Sequence, residues 1–172
     1  MIGERWIIYW NEYASDTYLY GTDLVFHGRE HVEFKNLLMP PGAVVKTWYS
    51  KTNFQRQKIE PMLPMIDGEG AYKIILNLNT RENEQCIGKL IFYDRFDKEV
   101  GDVFLRDKET VFRCPLSTYS YCLQLINSGF TELDFYNVEI QELIDEPEEN
   151  FKENREDFKK NTSSKKRNKF AK

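Results

Sequence analysis

Two histidines, His27 and His31, stand four residues apart. On a helix that spacing would bring both imidazoles to one face, where they could share a metal as in an HExxH pair. Here Gly28 lies between them and strand-like sequence flanks them, so they belong to a hairpin turn. No third histidine and no carboxylate partner is evident from spacing, and the pair reads as two exposed turn residues with no metal expected. Asp94, Asp97, Glu99 and Asp102 cluster across another turn, but their spacing matches no calcium loop, and a solvated acidic turn accounts for them. No G-x-S-x-G elbow and no glycine-rich phosphate loop is present. Cys86, Cys114 and Cys122 lack CxxC spacing, and Cys114 and Cys122 have no obvious activating base. They read as buried free thiols of a reducing compartment, outside any disulfide or zinc framework. Neither catalysis nor a cofactor is expected.

Binding chemistry is left to the rings. Aromatic residues make up 15% of the chain. On a strand face or loop, an exposed ring stacks on the apolar face of a pyranose or anchors a protein contact. Trp10, Trp48, Tyr49, Phe54 and Tyr93 are the candidate rings, with Tyr18 beside them. Asn53 and Arg95 are the candidate hydrogen-bonding partners. Taken singly, each tryptophan is more often a core ring. Pro40, Pro41 and Gly42 form a rigid loop that would hold such a patch in place. The prolines fix φ and remove two donors, and Gly42 can take a positive φ.

Strands must position these residues. Trp6 to Trp10 is apolar at successive positions and predicts a strand covered on both faces. Leu19 to Phe26 and Val32 to Lys35 predict a pair joined by the His27–His31 hairpin. Val44 to Tyr49 follows the Pro-Pro-Gly turn. After the Asp67-Gly68-Glu69-Gly70 turn, Tyr72, Ile74, Leu76 and Leu78 line one face of the clearest strand. Ile87 to Tyr93 pairs next to it, with Leu90 and Phe92 inward. Val100 to Leu105, Thr110 to Cys114 and an alternating strand with Tyr119, Tyr121, Leu123 and Leu125 on one face come after. In the last strand Leu133 and Phe135 share one parity while Tyr136, Val138 and Ile140 share the other, which predicts a bulge near Asn137. The pattern predicts an all-β fold, an antiparallel two-sheet β-sandwich of jelly-roll type.

The chain has 172 residues and a net charge of −4, enough for one domain with its own core and against a general nucleic-acid binder. Residues 1–144 form the expected β-sandwich domain. Residues 145–172 form a charged tail, partly helical or disordered: Asp145 to Asp157 holds seven acidic and two basic residues, and Phe158 to Lys172 seven basic and none acidic. No basic leader with an apolar core and no run of membrane-spanning length is found, so a cytoplasmic location is expected.

Ile8-Tyr9-Trp10, Tyr20-Gly21, Leu37-Leu38-Met39-Pro40-Pro41-Gly42, Trp48, Thr52-Asn53-Phe54, Pro61 and Leu63-Pro64 together resemble the third accessory secretory protein of the accessory Sec system in Gram-positive bacteria. The likeness covers roughly residues 5 to 143. It implies a cytoplasmic subunit with a fold like a carbohydrate-binding module and no catalysis of its own. It also implies a complex with two sister proteins, one glycosyltransferase-like and one hydrolase-like. That complex supports export of glycosylated serine-rich adhesins through a dedicated Sec ATPase, with peripheral contact to the membrane and self-association as further expectations. The resemblance transfers no catalytic residues. The alternative is a free-standing module that recognises N-acetylglucosamine-type glycans, and it requires an exposed ring beside an amide or a carboxylate.

Overall fold

A computed structural model describes residues 2–12, 16–51, 62–81 and 83–144. Ten strands follow in order: β1 (Ile2–Ile8), β2 (Asp23–Phe26), β3 (Val32–Lys35), β4 (Val44–Tyr49), β5 (Ala71–Thr80), β6 (Cys86–Tyr93), β7 (Glu99–Leu105), β8 (Glu109–Arg113), β9 (Ser120–Asn127) and β10 (Glu132–Leu143). They form two antiparallel sheets. One runs β2-β3-β10-β5-β8, with β1 also on β10, and the other runs β4-β9-β6-β7. The chain therefore passes repeatedly from one sheet to the other, and the expected all-β sandwich is what the residues form. The expected tail, 145–172, lies outside the described residues.

Strict alternation produced the best-placed strands. Val32 and Phe34 point inward from β3, and Tyr72, Ile74 and Leu76 from β5. β10 is the spine of its sheet. Its first half, Glu132 to Phe135, pairs with β3, its second half, Val138 to Leu143, pairs with β1, and β5 runs along its other edge. The register with β5 slips between Phe135 and Asn137, so Tyr136 is the extra residue. The bulge keeps both Phe135 and Val138 in the core although they are three residues apart.

Three expectations need correction. β1 is not covered on both faces: Ile7 points outward and is exposed among the described residues, and Trp10 is buried beyond the strand's end. β2 starts at Asp23, not Leu19, because a turn intervenes. Thr22 N–H donates to the Leu19 carbonyl, Thr22 Oγ1 donates to the Tyr18 carbonyl, and Gly21 takes φ 69°. β6 does not pair with β5 but crosses to the other sheet, between β9 and β7.

Between the sheets, rings gather at two ends of the core. Trp10, Trp48, Phe34, Phe130 and Phe135 form one cluster, with Trp48 stacked on Phe135 at 5.3 Å and Trp10 edge-on to Phe135 at 5.6 Å. Tyr72, Phe92, Phe112 and Tyr121 form the other. Lys46 enters the first cluster. Lys46 stands two residues before Trp48 in β4, beyond the register slip at Val45, so alternation puts both on the same side of the strand. Its Nζ lies 5.7 Å from the Trp48 ring centroid, and the residue is 1% exposed. Burial pushes the ammonium down to about 8, opposed by the charge of Asp16.

Candidate functional site

The candidate residues separate into three places. Trp10 and Trp48 are core rings, each 1% exposed, so neither offers a face to a sugar or a partner. Trp48 Nε1 donates to the Tyr9 carbonyl at 3.1 Å, which satisfies its polar edge inside. Both leave the binding set, because alternation and position put them between the sheets. Tyr49 and Tyr93 are half-buried on the outer side of the β4-β9-β6-β7 sheet. The Tyr93 hydroxyl lies 3.8 Å from Cys122 Sγ, and burial raises the pKa of both tyrosines. Arg95 is exposed at the β6–β7 turn, with its guanidinium 6.0 Å from the Tyr119 ring, which Lys51 approaches from 5.8 Å. Tyr119 itself is not on the inner face expected of it: it precedes β9 and is exposed. Asn53 and Phe54 lie outside the described residues.

The Pro-Pro-Gly loop has the geometry its sequence predicts. Gly42 takes φ 84°, its N–H donates to the Asn127 carbonyl at 2.7 Å, and the Asn127 N–H donates to the Ala43 carbonyl. The exposed apolar surface lies just before it. Leu37 and Leu38 are 70% and 73% exposed, and Leu19 and Tyr20 are comparably open, with Gly21 packed close to Leu38. Pro40 and Pro41 extend that surface.

Two buried asparagines hold this end together. Asn36 Nδ2 donates to the Tyr20 carbonyl at 2.8 Å and to Thr22 Oγ1 at 2.9 Å, and its Oδ1 accepts from the Leu38 N–H at 2.8 Å. Asn127 Nδ2 donates to the Met39 carbonyl, and its Oδ1 accepts from the N–H groups of Gly129 and Phe130. One amide thus ties loop 18–22 to loop 36–39, and the other ties loop 36–43 to the β9–β10 turn. Four large apolar groups thus stand in water on loops whose backbone is held by these amides. Sequence reading missed both asparagines. The available signal was their position immediately beyond an alternating strand, where a short amide side chain bonds to turn backbone.

Residues 17–142 match the family model described as Accessory Sec secretory system ASP3. The chain belongs to this family. It is 31% identical over 148 residues to the accessory Sec system ASP3 protein of Streptococcus gordonii, covering 81% of this chain and 93% of that protein. Against the namesake from Staphylococcus aureus it is 24% identical but spans only 44% of that protein's length. Among solved structures it is similar to a chain of the Glycosylation Associate Protein (Gap123) complex from Streptococcus agalactiae, with TM-score 0.75 and 31% identity, covering 82% of this chain and 45% of that one. It is equally similar to a chain in the crystal structure of accessory secretory proteins 1, 2 and 3 of Streptococcus pneumoniae, with TM-score 0.75 and 30% identity, covering 84% and 100%. Both structures are of complexes. The matched residues 17–142 take in every loop that carries the apolar end.

The two histidines are also not what spacing suggested. Each has a carboxylate partner: His27 Nε2 is 3.1 Å from Glu33 Oε2, and His31 Nε2 is 2.8 Å from Asp134 Oδ1. Asp134 lies on β10, a strand far away in the sequence. The three thiols lie in surroundings that disfavour the reactive thiolate, since burial raises the pKa of each, that of Cys86 to about 12.

Proposed function

We propose that this chain is a non-enzymatic subunit of the accessory Sec complex and assembles with two sister accessory proteins to support export of glycosylated adhesins. Family membership and its likeness to chains of two such complexes support this reading. A docking surface at the apolar end made by Leu19, Tyr20, Leu37, Leu38, Pro40 and Pro41 is supported by their exposure on loops fixed by Asn36 and Asn127. Residues 1–144 carry this role, and the charged segment 145–172 follows them in the sequence. The protein acts in the cytoplasm, at the membrane only by way of its complex. No helix among the described residues is long and apolar enough to cross a membrane. The glycan-module reading is less favoured, since Trp10 and Trp48 are closed in the core and both Arg95 and Lys51 lie against the exposed Tyr119 ring.

The test is co-purification of the two sister proteins with the Leu37→Ser, Leu38→Ser double variant. Truncating interface anchors of this kind weakens capture by about tenfold or more. The melting temperature should stay near that of wild type, because both side chains are already in water. Undiminished capture by a folded double variant would refute this placement of the surface.

A further inference from the structure

On the outer face of the β2-β3-β10 region, Glu33 of β3 stands directly opposite Asp134 of β10. Two carboxylates facing one another across a strand pair cost stability unless positive charge lies between them. The hairpin brings both histidines of the chain to this point. The His27 and His31 rings stack at 4.8 Å, and His31 stacks in turn on Tyr136 at 5.1 Å. His31 is thus held between two rings with its Nε2 aimed at Asp134. Tyr136, two residues beyond Asp134 in β10, shares its face. One donor atom each from His31, Glu33 and Asp134 lie within 4.8 Å of one another.

We infer that His31, Glu33 and Asp134, with His27 as fourth ligand, form a binding site for a zinc-type divalent cation that fastens the β2–β3 hairpin to β10. Imidazole nitrogen and carboxylate oxygen bind zinc tetrahedrally at about 2.0–2.2 Å, which sets donors about 3.4 Å apart, so side-chain rotations that draw the donors together by roughly 1 Å close the site. Two imidazoles favour zinc over magnesium or calcium, which take oxygen ligands. A set of four protein ligands leaves no open position, which is the pattern of a structural site. The Tyr136 ring stacked on His31 restricts the plane of that imidazole.

The full chain, free of any histidine tag, is titrated with zinc chloride by calorimetry, and the imidazole signals are followed by NMR. Only two histidines exist, so two sets of signals report the site directly. The expected result is one zinc per chain with both sets shifted. His31→Gln and Asp134→Asn should each weaken binding at least about tenfold. Magnesium chloride should leave the signals unmoved. Melting curves recorded without metal show whether each variant is folded. Absence of saturable zinc binding, binding unchanged in folded His31→Gln and Asp134→Asn, or an equal response to magnesium would each overturn the proposal.

Discussion

Replacing Lys46 with methionine should make the protein more stable at neutral pH. Lys46 is almost wholly enclosed beside Trp48, and burial lowers its pKa from 10.5 to about 8 despite the charge of Asp16. That displacement corresponds to a penalty of about 3 kcal/mol, at about 1.4 kcal/mol per pH unit. Below pH 8 the ammonium is charged in both folded and unfolded chains, and the penalty is present in full. Between pH 8 and 10.5 the unfolded chain keeps a proton that the folded chain has released, so wild-type stability rises with pH. Above 10.5 both are neutral and the penalty is gone. Methionine matches the unbranched stem and carries no charge, and replacing a buried ion with a well-packed apolar group is often stabilising. Urea unfolding of both proteins at pH 7, 8, 9 and 10 should show a variant more stable at pH 7, with its advantage falling by about 2–3 kcal/mol toward pH 10. Other groups that titrate in this range are common to both proteins and cancel. A difference that does not change with pH, or a wild type that is the more stable at pH 7, would refute the reasoning.

Two further substitutions test the core. Trp48→Ala removes the ring stacked on Phe135 and the donor to the Tyr9 carbonyl, and should cost about 3–5 kcal/mol in thermal or urea unfolding. Its effect on sister-protein capture should appear only where the domain itself begins to unfold. In Gly88→Ala the new methyl would lie 2.9 Å from Leu105 Cδ1 and 3.2 Å from Leu76 Cδ1, so that variant should lose about 1–3 kcal/mol by urea unfolding, with the leucines displaced.

Much of the sandwich was legible because alternation is a local property. Val32 to Lys35 and Tyr72 to Leu78 declare one wet face and one dry face within a few residues, and the change of parity across Tyr136 announced the bulge before any register was known. Sheet membership was not legible. Nothing local says that β6 leaves β5 for the other layer, since that depends on how the turn at 81–85 points. Apolar content misled where it served a surface: Leu19 and Tyr20 look like the start of a strand but stand in water beside Leu37 and Leu38. The burial of Lys46 was within reach, because it shares parity with Trp48, although the slip at Val45 obscures the count. The carboxylate partner of His31 was out of reach. Asp134 is 103 residues away, and only the β3–β10 register brings it near.

The dependence of one sheet on β10 has a consequence for synthesis. Among the described strands β10 comes last in the chain, yet β1, β3 and β5 all hydrogen-bond to it. Until Leu143 has left the ribosome, those three earlier strands each keep an unzipped margin. The nascent sheet is then open to wrong neighbours, and the interval is set by translation of more than a hundred residues after β1. Completion must arrive in a single late step when the spine docks, so slow synthesis of the region just before β10 should be where misassembly begins.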